Sequence, residues 1–523
     1  MTVDKDFVLE ALLRHNYLPT QRKASEELPP IFTTTHLTTE VAEKLAKLPT
    51  SRVEGYSGYD QIEYRMTRFN YVSRPLSIPH PLPHARLCLC IRDCWEQLEY
   101  IATNPCSGIK PQKHADGRLI IMDYDDSLTK SRSTQKHAFG NRFKVHSDVS
   151  NCFPSIYSHA VPWALVGFDE AKAKKSVKFK TEWFNQLDEA LRLTKRGETQ
   201  GIAIGPATSN VISEIILARI DEVLVSKGHQ FLRYIDDYTC YCESEEKAQD
   251  FIRQLSAELS RFKLMLNIKK TEVRKLPEPM ADDWVISLTS AIPSGDSINA
   301  YQAIHFLEFA LALSNKYPEG SVMKFAMKTM TKKPLDLFAK CDVLTYGLGL
   351  AFHQPFLLPL LDRALADTWL LSQFDAPAKL NAIVREHAKL HRSDGMTWGL
   401  YLLGKHDAAI EAETADVVFG TADAMSIAML HWSGQYPDKV KGFVDELVAS
   451  GDLYKLDAYW LLLYEVFRDG VISNPYPDEV FPVLLDSGVR FMSDDDGAFF
   501  EDVSAMFSAV SESEVGSGDE VIE

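Results

Sequence analysis

The adjacent carboxylates of Asp236 and Asp237 are the residues of this sequence best suited to chemistry. They end the tetrapeptide Tyr-Ile-Asp-Asp between two short β-prone runs, 231–233 and 238–241, which predicts a β-hairpin with both acids at its tip. Like charges at one turn raise each other's proton affinity, and a bound divalent cation relieves that cost. A solvated surface turn would use the same residue types, so the tetrapeptide alone does not decide between the two interpretations.

A third carboxylate stands upstream, at Asp148. It follows the alternating apolar residues Phe143 and Val145, which predict a strand that ends at the acid. The separation of 88 positions between residues 148 and 236 leaves room for a helical crossover between neighbouring strands. Three carboxylates at such strand ends would offer the hard oxygen ligands that suit Mg²⁺ or Mn²⁺.

Two further segments are needed to position these acids. A glycine-bearing loop at 200–210 leads into an apolar helix at 211–224, and an amphipathic helix at about 246–262 is followed by a predicted strand at 266–273. The first aspartate, the glycine-bearing loop, the hairpin and the Lys-Thr strand therefore occur in a fixed order along the chain.

This order of motifs resembles the palm of reverse transcriptases, over about residues 50–275. More narrowly, the segments 74–81, 154–164 and 205–209 resemble the abortive-infection, phage-defence branch of the bacterial enzymes. The resemblance implies an α+β fold, with the fingers and palm of a right-hand polymerase followed by an all-α, HEAT-like helical domain.

The same resemblance implies phosphoryl transfer with two metal ions, Mg²⁺ or Mn²⁺. Asp148 and Asp236 match the residues that bridge both metals, and Asp237 completes the site. The backbone carbonyl of Val149 matches a further ligand position.

Five other positions are candidates for nucleotide binding, and the first of them is implied by the same resemblance. Phe153 stands where an aromatic ring lies under the sugar and would clash with a 2′-hydroxyl, which predicts dNTPs as substrates. Gln200 and Gly201 are expected to line the pocket, because glycine lets the backbone approach a ligand closely. Arg74 is expected to contact phosphate, and Lys270 to contact phosphate or donate a proton to pyrophosphate. A core phenylalanine and solvated surface charges are the alternatives.

Composition separates the chain into two parts of different charge. The 523 residues carry a net charge of −17, but residues 1–280 hold 39 Lys and Arg against 36 Asp and Glu, a balance of +3. The acidic remainder disfavours a general role on long duplex DNA without excluding a narrow basic channel. The chain has no apolar run near 18 residues and no signal-peptide pattern at its start, which predicts a cytoplasmic protein with no membrane partner.

From about residue 285 onward, helical periodicity replaces the strand signals, and successive helices are broken by proline. Four regions are predicted: an N-terminal extension at 1–50, fingers and palm at 51–280, a solenoid-like helical domain at 285–510, and an acidic, disordered tail at 511–523.

The defence resemblance further implies DNA synthesis without a template, primed by a protein hydroxyl. The single-stranded DNA product would then stay covalently attached, and a homo-oligomer is expected by the same analogy. Tyr17, in an N-terminal segment expected to be flexible, is a guess for the priming residue. A polymerase that copies a specific RNA, and an idle scaffold whose helical domain binds another protein, are the alternatives. The sequence does not identify the phage or host trigger.

Overall fold

The computed structural model describes residues 3–19, 27–49, 52–68, 72–121, 134–279, 281–365 and 375–493. Two small β-sheets are surrounded by helices, so the predicted α+β class is confirmed. The strands are β1 (Gln61–Thr67), β2 (Ser73–Pro79), β3 (Phe143–Asp148), β4 (Phe231–Tyr234), β5 (Asp237–Cys242) and β6 (Glu272–Lys275). The pair β1–β2 forms one antiparallel hairpin, and the other four strands form the second sheet in the order β4-β5-β3-β6.

The four-stranded sheet carries the predicted hairpin and the predicted strand of the first aspartate. Its neighbouring strands are all antiparallel, and side chains alternate between its two faces. Val145 and Cys240, which lie opposite each other, are buried, and the Glu245–Arg261 helix packs against both strands. The sheet therefore has one covered face and one face left for a site.

The strand predicted at 266–273 is wrong in its first half. Residues Ile268–Lys270 form a 3-10 turn, and β6 begins only at Glu272. The Asn267 amide bonds the Asp148 carbonyl at 2.7 Å, and the Thr271 hydroxyl bonds the Asn267 carbonyl at 2.9 Å. These bonds close a turn where the sequence pattern indicated continuous strand, because local side-chain bonding competes with the ladder.

Helices of the first half surround the sheets. They are Lys5–Glu10, Thr39–Ala46, Pro81–Asp93, Trp95–Leu98, Tyr100–Thr103, Cys152–Ser155, Ala160–Val166, Phe168–Ala173, Trp183–Leu193, Ala207–Ser226 and Glu245–Arg261, with a π-helical turn at Ala11–His15 and a 3-10 turn at Val177–Phe179.

Beyond β6 the described residues contain helices and no strand longer than an isolated bridge. The helices are Asp283–Ser290, Ala300–Lys316, Val322–Met330, Leu337–Ala351, Leu358–Leu365, Ala376–Lys389, Ser393–Lys405, Ala412–Thr421, Ala424–Ser433, Pro437–Ala449, Leu453–Asp457, Trp460–Arg468 and Val480–Asp486, with a 3-10 turn at Pro355–Leu357. Neighbouring helices pack together along this series, as predicted for the helical region. The predicted tail at 511–523 lies outside the described residues.

The N-terminal segment is part of the core, and the expectation that Tyr17 lies in a flexible segment is wrong. The Tyr17 side chain is fully buried, its hydroxyl donates to the Pro79 carbonyl at 2.5 Å, and its ring stacks on His84 with centroids 3.7 Å apart. Burial also raises the pKa of Tyr17 well above its ordinary value. A hydroxyl that is buried, protonated and already bonded does not fit a priming nucleophile.

The helical region is fastened to the β1–β2 hairpin through the free edge of β1. The Arg65 amide donates to the Ser393 hydroxyl at 2.9 Å, and the Thr67 amide and hydroxyl donate to the Asp394 carboxylate at 2.8 and 3.0 Å. A second anchor joins the buried side chains of Arg52 and Asp457 at 2.7 Å. Side chains of the helical region thus satisfy strand donors that would otherwise face water or another chain.

We expect Thr67→Val to destabilise the protein by about 1–2 kcal/mol, because the shape is kept while the buried Asp394 carboxylate loses a donor. Urea unfolding should show a lower midpoint with an unchanged slope. The exposed Thr289, whose hydroxyl bonds within its own helix, supplies the matched control Thr289→Val. Equal midpoints for the two variants would contradict the anchoring role.

Candidate active site

The three predicted carboxylates meet at one end of the four-stranded sheet. Asp148 ends β3 directly opposite Asp237, the first residue of β5. Asp236 stands in the two-residue turn between β4 and β5, and its backbone carbonyl accepts from the Val149 amide at 3.2 Å. The antiparallel register therefore brings together residues that are 88 positions apart in the sequence.

The Asp236 carboxyl group has a perturbed pKa. Burial, followed by the nearby charges of Asp148 and Asp237, raises its pKa to about 6, and Arg74 opposes the shift. A carboxylate that is costly to ionise is suited to a site where a cation completes the charge balance.

Lys270 supplies a positive charge at this site. Its Nζ lies 2.6 Å from the Asp148 carboxylate, and this bond, followed by the charges of Asp148, Asp237 and Asp236, raises the pKa of Lys270 against the effect of burial. The Asn267 amide contacts the same carboxylate oxygen at 3.4 Å. The 3-10 turn at Ile268–Lys270, where a strand was predicted, places the side chains of Asn267 and Lys270 against Asp148.

The donor set fits a hard divalent cation without forming a finished metal site. Within the described residues, no group of three or more His, Cys, Asp and Glu side chains converges in a metal-binding arrangement. The Asp148 carboxylate is instead engaged by the Lys270 ammonium. Burial, followed by the charges of Asp148 and Asp237, keeps the pKa of Asp236 raised even with this ammonium present, and carboxylate oxygens are the hard donors that Mg²⁺ or Mn²⁺ prefers.

Phe153, Gln200 and Gly201 are linked through the segment that follows Asp148 in the chain. The Phe153 ring is buried, and its backbone carbonyl accepts from the Ile202 amide at 3.0 Å. The Gln200 amide side chain donates to the Pro154 and Ser155 carbonyls at 3.2 and 3.0 Å. Gly201 has φ +80°, and an added Cβ would lie 3.1 Å from the Pro154 carbonyl. The loop is thus held tightly against the segment that follows Asp148.

Arg74 approaches the same site from the other hairpin. It lies on β2 opposite Met66, is half-buried, and is close enough to lower the pKa of Asp236. The structure therefore groups Asp148, Asp236, Asp237 and Lys270, with Arg74 acting on Asp236 from the neighbouring hairpin.

A cavity of about 710 Å³ extends from Asp237 along the uncovered face of the sheet. Its lining includes Lys144, His146, Tyr241 and Arg274, and His146 Nε2 lies 4.0 Å from an Asp237 carboxylate oxygen. Of the three site aspartates, Asp237 lines the cavity.

A buried ionic network fixes the turn that carries Asp236. The Arg233 guanidinium is fully buried and pairs with Glu214 at 2.6 Å and Asp221 at 2.7 Å. It also donates to the Ile235 carbonyl at 2.7 Å. Ile235 has φ +59°, which is strained for a β-branched residue and persists only where its surroundings impose it.

Sequence reasoning missed this network. In the sequence, Arg233 is recognisable only as part of a β-prone run. Glu214 and Asp221 are recognisable only as members of an apolar helix. The available signal was the spacing of the two acids, seven residues apart in that helix, which places both on one helical face.

Comparison with known proteins agrees with this geometry. Residues 101–309 match the family model described as reverse transcriptase (RNA-dependent DNA polymerase). The match supports a reverse transcriptase-type polymerase. It includes Asp148, Phe153, the Gln200 loop, the hairpin and Lys270, but leaves out Arg74 and most of the helical region.

More distant similarities carry no functional argument. A solved structure of apo telomerase from Candida tropicalis, truncated from its C-terminal domain, is 13% identical with TM-score 0.30, covering 46% of this chain and 55% of that one. The chain thus spans about half the length of that telomerase chain. Apo telomerase from the same organism is 10% identical with TM-score 0.31, covering 78% and 71%. No curated protein matches the chain. Among the described helices, none is long and apolar enough to cross a membrane.

Proposed function

We propose that this protein is a DNA polymerase of the reverse transcriptase type that adds dNTPs to a hydroxyl at the Asp148–Asp236–Asp237 site. The observation that carries the proposal is the pairing of Asp148 with Asp237 across β3 and β5, with Asp236 in the adjoining turn. Three carboxylates that share one sheet end serve no packing purpose, since burial and then the charges of Asp148 and Asp237 raise the pKa of Asp236.

In this proposal Asp148, Asp236, Asp237 and the Val149 carbonyl hold the cation. Bound Mg²⁺ or Mn²⁺ would activate the attacking hydroxyl and neutralise charge on pyrophosphate. Lys270, which contacts Asp148 at 2.6 Å, would contact the triphosphate or donate a proton to the leaving group. Arg74 contacts the phosphates from the fingers side.

Phe153 and the Gln200–Gly201 loop form the sugar end of the pocket. The hydrogen bonds that hold the loop to Pro154 and Ser155 keep the ring and the loop in a fixed relation. A fixed ring under the sugar excludes a 2′-hydroxyl by steric contact.

We place the enzyme in the abortive-infection branch, in phage defence in the cytoplasm. Its synthesis is untemplated and primed by a protein hydroxyl not yet assigned, and its single-stranded product stays attached to a homo-oligomer. The segments 74–81, 154–164 and 205–209 support this branch, as does the helical region beyond β6. The division into an extension (1–50), fingers and palm (51–280) and helical domain (285–510) is part of the proposal.

The deciding experiment incubates the full-length protein with Mg²⁺ or Mn²⁺ and labelled dNTPs, without template or primer. Label that stays with the denatured protein, and is absent when Asp236 and Asp237 are replaced by alanine, would establish protein-primed, untemplated synthesis. Incorporation only after RNA and a primer are added would point to templated copying of RNA. No incorporation under either condition would leave a scaffold and overturn the proposal.

Phe153→Val should relax the choice of sugar. Removing the ring opens space for a 2′-hydroxyl, so the ratio of kcat/KM for NTPs to that for dNTPs should rise on the order of 10²-fold. Single-nucleotide incorporation with matched NTP and dNTP pairs measures the ratio. Phe184→Val, at a buried phenylalanine of the Trp183–Leu193 helix, is the control and should leave the ratio unchanged. An unchanged ratio in Phe153→Val would reduce this ring to an ordinary core residue.

A further inference from the structure

A lysine-rich segment at residues 171–181, termed here the basic segment, stands out against the acidity of the chain. It holds five lysines and no acidic residue, whereas residues 1–280 as a whole have a balance of only +3 and the full chain −17. Without this segment the polymerase part of the chain would carry no basic excess. Lys174 and Lys180 are paired with Glu170 at 2.9 Å and Glu189 at 3.4 Å. The remaining lysines, Lys172, Lys175 and Lys178, supply the local positive field that attracts a polyanion, even when the protein as a whole repels it.

The basic segment is exposed but has a defined shape. Lys172, Lys175 and Lys178 are exposed, and Val177 between them is 78% exposed. The Asn185 side chain donates to the Lys174 and Phe179 carbonyls, both at 2.9 Å. A loop held at two carbonyls presents its charges in a fixed pattern, which reduces the entropy lost when a ligand binds.

Aromatic rings are interleaved with these lysines. Lys172 Nζ lies 5.3 Å from the ring centre of Trp163 and 5.4 Å from that of Phe168, and Lys178 Nζ lies 4.8 Å from that of Phe179. Phe168 remains 52% exposed. Lysines beside accessible rings suit a ligand that alternates phosphates with stacking bases.

A series of ring contacts connects the basic segment to the candidate active site. Phe168 packs edge-on to Trp163 with centroids 5.0 Å apart, and Trp163 lies 5.7 Å from Tyr157. Tyr157 pairs through its backbone with Gln200 of the nucleotide loop. The segment is therefore built onto the same substructure as the loop.

We propose that the basic segment binds the backbone of a single-stranded nucleic acid, with Phe168 and Phe179 next to its bases. The identity of that strand as product or template rests on the polymerase function proposed above. An anionic membrane fits less well, because the two helical elements here, Phe168–Ala173 and the 3-10 turn Val177–Phe179, are short, whereas an interfacial helix needs an extended apolar face.

The test uses the full-length protein carrying Lys172→Gln, Lys175→Gln and Lys178→Gln, with fluorescein-labelled dT20 and rU20 as probes and no nucleotides present. Fluorescence anisotropy over a range of salt concentrations should give a Kd weaker by about 10-fold or more. The slope of log Kd against log salt should fall by about 2, because each lost phosphate contact on a single strand contributes about 0.7. The dT20 and rU20 probes separate DNA from RNA as the preferred strand.

A matched variant controls for net charge: Lys439→Gln, Lys441→Gln and Lys455→Gln, all at exposed positions of the helical region, should bind like the wild type. Equal binding by the wild type and the basic-segment variant, equal losses in both variants, or binding to phosphatidylserine vesicles but not to oligonucleotides would each overturn the inference. Because binding is measured without synthesis, the expected shift would stand even if no dNTP incorporation were found. Conversely, dNTP incorporation without the expected weakening of Kd would reject only the proposed role of the basic segment in binding single strands.

Discussion

Asp236→Asn should abolish nucleotide incorporation and at the same time make the metal-free protein more stable. The substitution keeps the shape of the side chain and removes its charge. Loss of one cation ligand should lower the rate on the order of 10³-fold or more, since metal assistance supplies several kcal/mol of transition-state stabilisation. The gain in stability follows from the raised pKa of Asp236, whose ionised form is disfavoured by burial and by Asp148 and Asp237.

The stability difference should depend on pH in a defined direction. The pKa of Asp236 rises on folding from its ordinary value of 3.8 to about 6, so the folded protein holds the proton more tightly. Protonation of Asp236 therefore stabilises the folded wild type at low pH. This stabilisation is lost as the pH rises from about 4 through about 6. The variant has no such group, so the gap in Tm between the two proteins should open across that window and be full at neutral pH.

Thermal unfolding in EDTA, repeated with Mg²⁺, measures both effects. Mg²⁺ should raise the Tm of the wild type more than that of Asp236→Asn, because ligand binding stabilises only the protein that binds it. Asp416→Asn, at an exposed acid of the Ala412–Thr421 helix, should change neither the rate nor the response to Mg²⁺. Full incorporation by Asp236→Asn would remove Asp236 from the reaction centre, and a lower Tm would contradict the proposed charge repulsion.

The parts of the fold set by local pattern were predictable from sequence. The hairpin with Asp236 at its turn follows from two β-prone runs around a short polar break, and the strand before Asp148 follows from alternation. The order of the motifs indicated which strands are neighbours. Neither the periodicity nor the spacing predicts the strand register that places Asp148 opposite Asp237. The breaks between the later helices were also predictable, because prolines mark them in the sequence.

Other features depend on contacts that no local pattern records. Tyr17 looked like part of a loose terminus, yet it is buried because Pro79 and His84 lie beside it. The turn at Ile268–Lys270 forms because Asp148, more than 100 residues earlier in the chain, accepts from Asn267. Bonds over such separations override the intrinsic preference of a short segment.

Arg233→Met should destabilise the protein by about 3–5 kcal/mol, the other large effect expected here. The substitution leaves Glu214 and Asp221 buried without their cation, and an uncompensated buried charge is far more costly than the absence of the whole pair. Burial already raises the pKa of Glu214, and Arg233 opposes that shift. The urea midpoint should fall sharply at neutral pH and recover in part as the pH is lowered, because the stranded carboxylates then take up protons.

The triple variant Arg233→Met, Glu214→Gln, Asp221→Asn separates stability from positioning. Removing all three charges should restore most of the unfolding free energy, since a neutral core of similar volume replaces the ionic one. It does not restore the donor to the Ile235 carbonyl, so the strained turn that carries Asp236 should be held less firmly. We expect a stable enzyme with a lower kcat and a higher Mg²⁺ concentration at half-maximal rate, while KM for dNTP changes little. Full activity in a stable triple variant would mean that the network serves folding alone. A shifted Mg²⁺ requirement in an intact fold would make Arg233 a positioning residue for the carboxylates at the turn.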